Sequence, residues 1–173
     1  MRIESLCIVG AVLAGSLIAH AANAQPSPEG ISLYKGQPPT RIYEIHGAEV
    51  YDVESGVTWQ RCSVGQTWAA TKGCIGPVRL FSFDDAQRLG GGVWRLPTNI
   101  ELAKLIDHAR AFQELRPTLH VEAFPDTDPE KLWYWTSTSD GPYVAWYASF
   151  VDGRFSLDGR NFQYAVRLVR DGR

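Results

Sequence analysis

Short runs of apolar and β-branched residues, bounded by turn residues, occur in two groups, one at residues 42–61 and one at residues 132–169. Near the start they cover residues 42–45, 49–53 and 57–61, with His46-Gly47 and Glu54-Ser55-Gly56 between them. Runs of this length around tight turns predict an antiparallel meander. Four later runs are rich in aromatic and β-branched residues and predict a second group of strands at 132–136, 144–150, 154–157 and 164–169.

Between these groups the pattern changes to that of helices. Ser82, followed by Asp84 and Asp85, predicts the start of a short helix, and the three glycines at 90–92 predict its end. Thr98 and Glu101 have the spacing of a capping box, and apolar residues follow at helical spacing as far as 109. Strands, two helices and then strands predict an α+β domain.

The first 24 residues resemble a secretory signal peptide. Arg2 precedes a mostly apolar run over 6–19, and Ala22-Asn23-Ala24 is a small-residue cleavage site. A membrane anchor is the alternative, but the run is shorter than the roughly 20 residues that cross a bilayer. We therefore expect export to the periplasm, the cell surface or the medium, with no transmembrane segment left after cleavage. Prolines and glycines at 25–40 predict a linker or arm, and residues 41–173 form one domain.

Charge and cysteine content narrow the function further. The formal net charge is −2, and it stays −2 after cleavage because residues 1–24 hold one base and one acid. This balance argues against a nucleic-acid partner. Once Cys7 is removed with the signal peptide, Cys62 and Cys74 remain, and in an oxidising compartment we expect them to form a disulfide. A redox or catalytic thiol is the alternative, but neither a Cys-x-x-Cys spacing nor an adjacent histidine supports it.

The residue types that usually carry catalysis or bind metals are not grouped in this sequence. Its three histidines after residue 24 have no metal-ligand spacing, and neither a serine nucleophile elbow nor a phosphate-binding glycine loop occurs. We therefore expect no enzymatic activity and no cofactor. Asp126, Asp128 and Glu130 place three carboxylates on a predicted loop, where they could bind Ca²⁺. We favour the interpretation that these residues form a solvated acidic loop without a bound metal.

Six aromatic and arginine motifs follow one another along the chain, and the first of them ends the segment Asp-Val-Glu-Ser-Gly-Val-Thr-Trp-Gln-Arg-Cys at 52–62. They are Trp-Gln-Arg-Cys at 59–62, Trp-Arg-Leu-Pro-Thr at 94–98, Tyr-Trp-Thr-Ser-Thr at 134–138, Ala-Trp-Tyr at 145–147, Gly-Arg-Phe at 153–155 and Val-Arg-Leu-Val-Arg at 166–170. Over residues 42–171 this pattern resembles the domain of unknown function at the C-terminus of the Legionella collagen-like adhesin.

That resemblance implies a C-type-lectin-like fold and a binding module rather than an enzyme. The Glu-Pro-Asn, Gln-Pro-Asp and Trp-Asn-Asp elements that bind calcium in sugar-binding lectins do not occur in this sequence. A calcium-bridged sugar site is therefore not expected. No collagen-like stretch precedes the domain.

The C-terminal arginines are candidates for ligand contact, because guanidinium groups bind sulfate and carboxylate in a forked geometry. They are Arg154, Arg160, Arg167 and Arg170. A cluster of them could hold an acidic glycan, which fits the sulfated-glycosaminoglycan binding that the resemblance implies. Local pairing with aspartates is the alternative.

Six tryptophans suggest carbohydrate contact as well. Four of them lie within the motifs, and we expect them to pack in the core: Trp59, Trp94, Trp135 and Trp146. Trp68 and Trp133 are the better candidates for exposure and ligand contact. The sequence thus predicts an exported, non-catalytic binding module for acidic or sulfated glycans. The alternatives are a structural or assembly protein of the bacterial envelope with a protein partner, and an enzyme related to formylglycine-generating oxidases that would need reactive cysteines.

Overall fold

A four-stranded antiparallel sheet brings the two ends of the domain together. In the computed structural model, which describes residues 41–125 and 133–173, its strands are β1 (Tyr43–His46), β2 (Glu49–Asp52), β3 (Val57–Gln60) and β9 (Val169–Asp171), in the order β1-β2-β3-β9. Thr58 is paired with Arg170 and donates its hydroxyl hydrogen to the Gly172 carbonyl at 2.6 Å. The predicted N-terminal meander is confirmed to within one residue at each strand end.

A small hairpin follows, with strands β4 (Thr67–Ala69) and β5 (Gly73–Ile75). The predicted disulfide is confirmed: Cys62 and Cys74 are bonded, with their Cα atoms 5.4 Å apart. Closing a loop of this length stabilises the fold by about 3 kcal/mol in the chain-entropy model. The sequence analysis missed the hairpin because strands of three residues carry too little pattern to be recognised.

Three short helices occupy the middle of the described chain, not the two that were predicted. They are α1 (Phe83–Gln87), α2 (Asn99–Ala103) and α3 (His108–Phe112). Ser82 caps α1, and the Thr98–Glu101 capping box begins α2, both as predicted. The expected continuation of α2 to residue 109 is wrong. Ile106 forms a β-bridge with Leu119, and the Asp107 carboxylate accepts two backbone N–H groups at 3.0 Å to begin α3.

A second antiparallel sheet contains β6 (Trp133–Asp140), β7 (Val144–Ser149) and β8 (Arg154–Gly159), with β8 at one edge. Its register shifts between Trp135 and Ser139 of β6. The strand predicted at 164–169 is wrong in extent. Residues 164 and 165 make only single bridges, to Phe81 and Tyr134, because the chain crosses here between the two sheets. The regular ladder with β3 begins at residue 169.

The second sheet separates two groups of buried side chains. Tyr134 and Ala148 face a first core, whereas Trp135 and Ala145 face a second core on the opposite side, as strand alternation requires. The first core also contains the large side chains of Trp59, Leu102, Leu105, Leu119, Phe124 and Phe150. The second core contains Phe81, Phe83, Leu96, Val166 and Leu168.

Several predictions concern residues outside the described ranges: the signal peptide at 1–24, the linker at 25–40, and the acidic residues Asp126, Asp128 and Glu130. Within 41–125 and 133–173, no helix is both long enough and apolar enough to cross a membrane.

Candidate functional site

Arg167, one of the four candidate arginines, lies in the protein interior and not on a ligand-binding surface. Its guanidinium donates to the carbonyls of Gln60, at 3.0 Å, and Arg61, and to the hydroxyl of Ser63 at 3.3 Å. The side chain also lies over the rings of Phe124 and Tyr134. Burial lowers the pKa of Arg167. The prediction that Arg167 contacts a ligand is therefore wrong, because its guanidinium is buried and bonded to backbone carbonyls and cannot reach an external glycan.

The other three arginines do not form one cluster either. Arg154 begins β8 and Arg160 follows directly after its last residue, roughly 20 Å away at the rise of a β-strand. Arg170 belongs to the other sheet. Arg160 pairs with Asp84 and covers the Phe83 ring, whereas Arg170 pairs with Glu49 at 2.8 Å. Arg154 remains 83% exposed and lies 3.6 Å from Asp152. The prediction that these arginines form one ligand-binding cluster is therefore wrong.

The division of the tryptophans into buried and exposed side chains differs from the prediction. Trp59 and Trp135 are buried, as expected, but Trp94 and Trp146 are only partly buried. The Trp68 ring lies 4.0 Å below the Arg61 guanidinium, in a contact within the fold. Trp133 is 40% exposed at the start of β6, with its ring 6.3 Å from that of Tyr164.

An open groove of about 590 Å³ lies beside the C-terminal end of α1. The residues that line it are Gln87, Arg88, Leu89, Gly90, Trp94, Arg95, Leu96, Thr98 and Ser137. It therefore combines one indole and two leucines with an amide, two hydroxyls and two guanidinium groups. Small-ligand sites combine apolar and aromatic side chains with a few polar groups, and both kinds of side chain line this open groove.

A glycine turn shapes one wall of the groove. Gly90 has φ +113°, and a Cβ at this position would lie 2.5 Å from the Trp94 carbonyl oxygen. Glycine is therefore required here on both conformational and steric grounds. Gly91 and Trp94 then exchange two backbone hydrogen bonds of 3.2 Å, which return the chain under α1 and bring the indole to the groove.

Arg95 fixes the floor of the groove through carboxylates. Its guanidinium donates to both oxygens of Glu101, at 2.9 and 2.7 Å, and to Asp171 at 2.6 Å. Hydrogen bonding to Glu101 raises the pKa of Arg95 above its ordinary value. Burial alone would raise the pKa of Glu101, but the hydrogen bonds from Arg95 and Thr98 outweigh it and lower that pKa. The Arg95 guanidinium is thus already paired with Glu101 and Asp171 within the protein.

Arg88 is the more available cation of the groove. Its side chain is 70% exposed and pairs with Asp85, one turn earlier on the same helix. The hydrogen bond from Ser82, with Arg88 as a further cause, lowers the pKa of Asp85. An exposed pair on one helix contributes little to stability, so an external anion can replace Asp85 at small cost.

Polar groups from distant parts of the sequence complete the groove. The Gln87 amide donates to the Ser137 carbonyl at 3.0 Å, and the Ser137 N–H donates to the Pro97 carbonyl at 2.6 Å. These bonds join α1, the segment before α2 and β6. The groove can therefore contact a ring with the Trp94 indole and Leu89, hydroxyl groups with Gln87 and Ser137, and an anion with Arg88. The sequence analysis did not nominate any of these groups for ligand contact.

Metal binding finds no geometric support in the described ranges, where no group of three or more His, Cys, Asp and Glu side chains is placed to hold an ion. The histidines are dispersed: His46 lies on β1, His108 begins α3, and the His120 ring accepts the Ala123 N–H at 3.2 Å.

The family model described as the Lcl C-terminal domain matches residues 48–170. No curated protein matches the chain. The matched region contains strands β2 to β8, most of β9, all three described helices and the groove, and covers well over half of the sequence. The chain therefore belongs to the Lcl C-terminal domain family.

Proposed function

We propose that this protein is an exported, non-catalytic module that binds acidic glycans, and that the groove beside α1 is its binding site. The observation that carries the proposal is the meeting of a partly exposed indole, Trp94, with hydroxyl and amide groups and an exposed guanidinium, Arg88. A pyranose ring packs against the indole and Leu89, while Gln87 and Ser137 form hydrogen bonds with its hydroxyl groups. A sulfate or carboxylate substituent pairs with Arg88 in a forked geometry.

Family membership and cysteine chemistry support the same proposal. The Lcl C-terminal domain takes its name from an adhesin, and adhesins act by binding outside the cytoplasm. The disulfide between Cys62 and Cys74 suits an oxidising compartment. The same bond speaks against an enzyme related to formylglycine-generating oxidases, because that alternative requires the two thiols to be reactive.

Heparin chromatography and a glycan array test the proposal. The purified, oxidised protein is expected to bind heparin and sulfated glycans at low salt and to lose them as salt rises, because salt screens exposed charges. Arg88→Ala removes a charge-assisted contact and should weaken binding about tenfold or more. Gln87→Ala should weaken binding to neutral and acidic sugars alike.

The matched control is Arg116→Ala, which removes an exposed arginine distant in sequence from the groove. It should leave glycan affinity close to that of the wild type, and near-ultraviolet circular dichroism should show that every variant is folded. If the protein binds no acidic or neutral glycan at low salt, or if Arg88→Ala and Arg116→Ala behave alike, the proposal is wrong.

A protein partner in the bacterial envelope is the second candidate. Two apolar residues adjoining the groove segments, Val93 and Ile100, are 68% and 67% exposed. Exposed apolar side chains around a groove favour contact with a polypeptide. This candidate is supported over the first if the protein binds no glycan but binds an envelope protein, and if Val93→Ser and Ile100→Ser abolish that binding while both variants stay folded.

A further inference from the structure

The edge strand β8 carries a sequence that is complementary to itself. Its first five residues are Arg154, Phe155, Ser156, Leu157 and Asp158. On one side β8 pairs with β7, and in the described part of the chain no other strand adjoins it. An edge strand of this kind presents unpaired backbone N–H and C=O groups along its outer side, which is a template for a further strand.

Two copies of β8 can meet in antiparallel fashion around a two-fold axis through Ser156. Residues that lie directly opposite one another in a sheet must point to the same face, so only registers centred on a residue are allowed. In the register centred on Ser156, Arg154 of each copy lies opposite Asp158 of the other. Phe155 likewise lies opposite Leu157. Two opposite-charge pairs and two apolar pairs then form at once.

The neighbouring registers lack this complementarity. Centring the pair on Phe155 places Arg154 opposite Ser156, and centring it on Leu157 places Asp158 opposite Ser156. Cross-strand pairs of opposite charge or of apolar residues stabilise a sheet, and like charges destabilise it. The sequence of β8 therefore selects both a partner, its own copy, and a single register.

The side chains of β8 are accessible for such pairing. Arg154 is 83% exposed, Leu157 is 37% exposed, and Ser156 is also exposed. Phe155 is half-buried against the first core, and Asp158 accepts the Tyr164 hydroxyl hydrogen at 2.6 Å, so both are already held in place. The strand contains neither lysine nor proline, which commonly protect edges from pairing.

We propose that β8 is a homodimer interface, in which two copies of the chain join their three-stranded sheets edge to edge through Arg154–Asp158 and Phe155–Leu157 pairs. This inference does not depend on glycan binding. A dimer does carry two grooves, so on a polymeric ligand the second groove would bind at a high effective concentration.

Sedimentation equilibrium tests the association directly. The wild-type protein should show a concentration-dependent mass that approaches twice that of one chain. Arg154→Glu turns both charge pairs of the dimer into like-charge pairs, and should raise the dimer dissociation constant about tenfold or more. Arg116→Glu, the same charge reversal at another exposed arginine, should leave the constant unchanged. Leu157→Asp should weaken the dimer independently of Arg154.

The register is tested by crosslinking. Directly opposed residues of an antiparallel pair have Cβ atoms about 4.5–5.5 Å apart, so Ser156→Cys should give a disulfide-linked dimer on mild oxidation. Ser139→Cys, an exposed serine of β6, should not. A wild-type protein that sediments as a monomer up to its solubility limit overturns the proposal, and so does crosslinking that is equal for the two cysteine variants. Circular dichroism confirms in each case that the variant is folded.

Discussion

Replacing Arg167 by methionine should destabilise the protein strongly although the residue does not line the groove. The guanidinium donates to two backbone carbonyls and the Ser63 hydroxyl, and that hydroxyl lies 2.7 Å from the Tyr134 hydroxyl. Methionine fills much of the same volume but donates no hydrogen bond. Each buried acceptor left without a donor costs about 1–3 kcal/mol. The loss for the two carbonyls together is therefore about 2–5 kcal/mol, after allowance for the removed buried charge.

Urea unfolding of the oxidised protein measures this loss, with circular dichroism as the probe and a common slope for all variants. Arg116→Met is the matched control, since it makes the same substitution at an exposed position. It should change the free energy of unfolding by no more than about 0.5 kcal/mol. If Arg167→Met lies within about 1 kcal/mol of Arg116→Met, the interior role assigned to Arg167 is wrong.

Two further predictions concern Gly90, which lines the groove, and Glu101, which pairs with Arg95 beneath it. Gly90→Ala should destabilise the protein by about 1 kcal/mol or more, because of positive φ and the close Trp94 carbonyl. Gly91→Ala meets no atom within 4 Å and should be nearly neutral; equal effects in thermal unfolding would contradict this reasoning. Glu101 has a lowered pKa, so it contributes stability that is complete above its ordinary pKa of 4.5 and is lost as pH falls through the lower folded value. Glu101→Gln should remove that part of the acid sensitivity, and an unchanged pH profile would refute the assignment.

Local features of the fold could be predicted from the sequence, whereas features that depend on distant contacts could not. Ser82 and the Thr98–Glu101 pair act within one helical turn, so their patterns identify helix starts. The break after α2 depends on Leu119, which pairs with Ile106. Nothing in the helical spacing of residues 102–109 reveals that partner.

The candidate site was harder to predict for the same reason. The groove joins Gln87 to Ser137, 50 residues later in the chain. The burial of Arg167 depends on the Gln60 carbonyl, which is 107 residues earlier. An arginine beside a strand therefore looks the same in sequence whether it binds a sulfate or a backbone carbonyl. The C-type-lectin-like relationship stays a prediction.

The motifs that identify the family hold the scaffold together, and this limits what they say about the ligand. Arg61 donates to three backbone carbonyls, Arg95 binds two carboxylates, and the Trp135 indole donates to the Phe81 carbonyl at 2.8 Å. These contacts lie within the fold. Gln87 and Arg88, by contrast, line the groove but belong to none of the motifs. Two proteins that share every motif can therefore differ at positions 87 and 88. Because Arg88 is exposed and its pairing with Asp85 contributes little to stability, the charge preference of the groove should follow position 88 rather than the motifs.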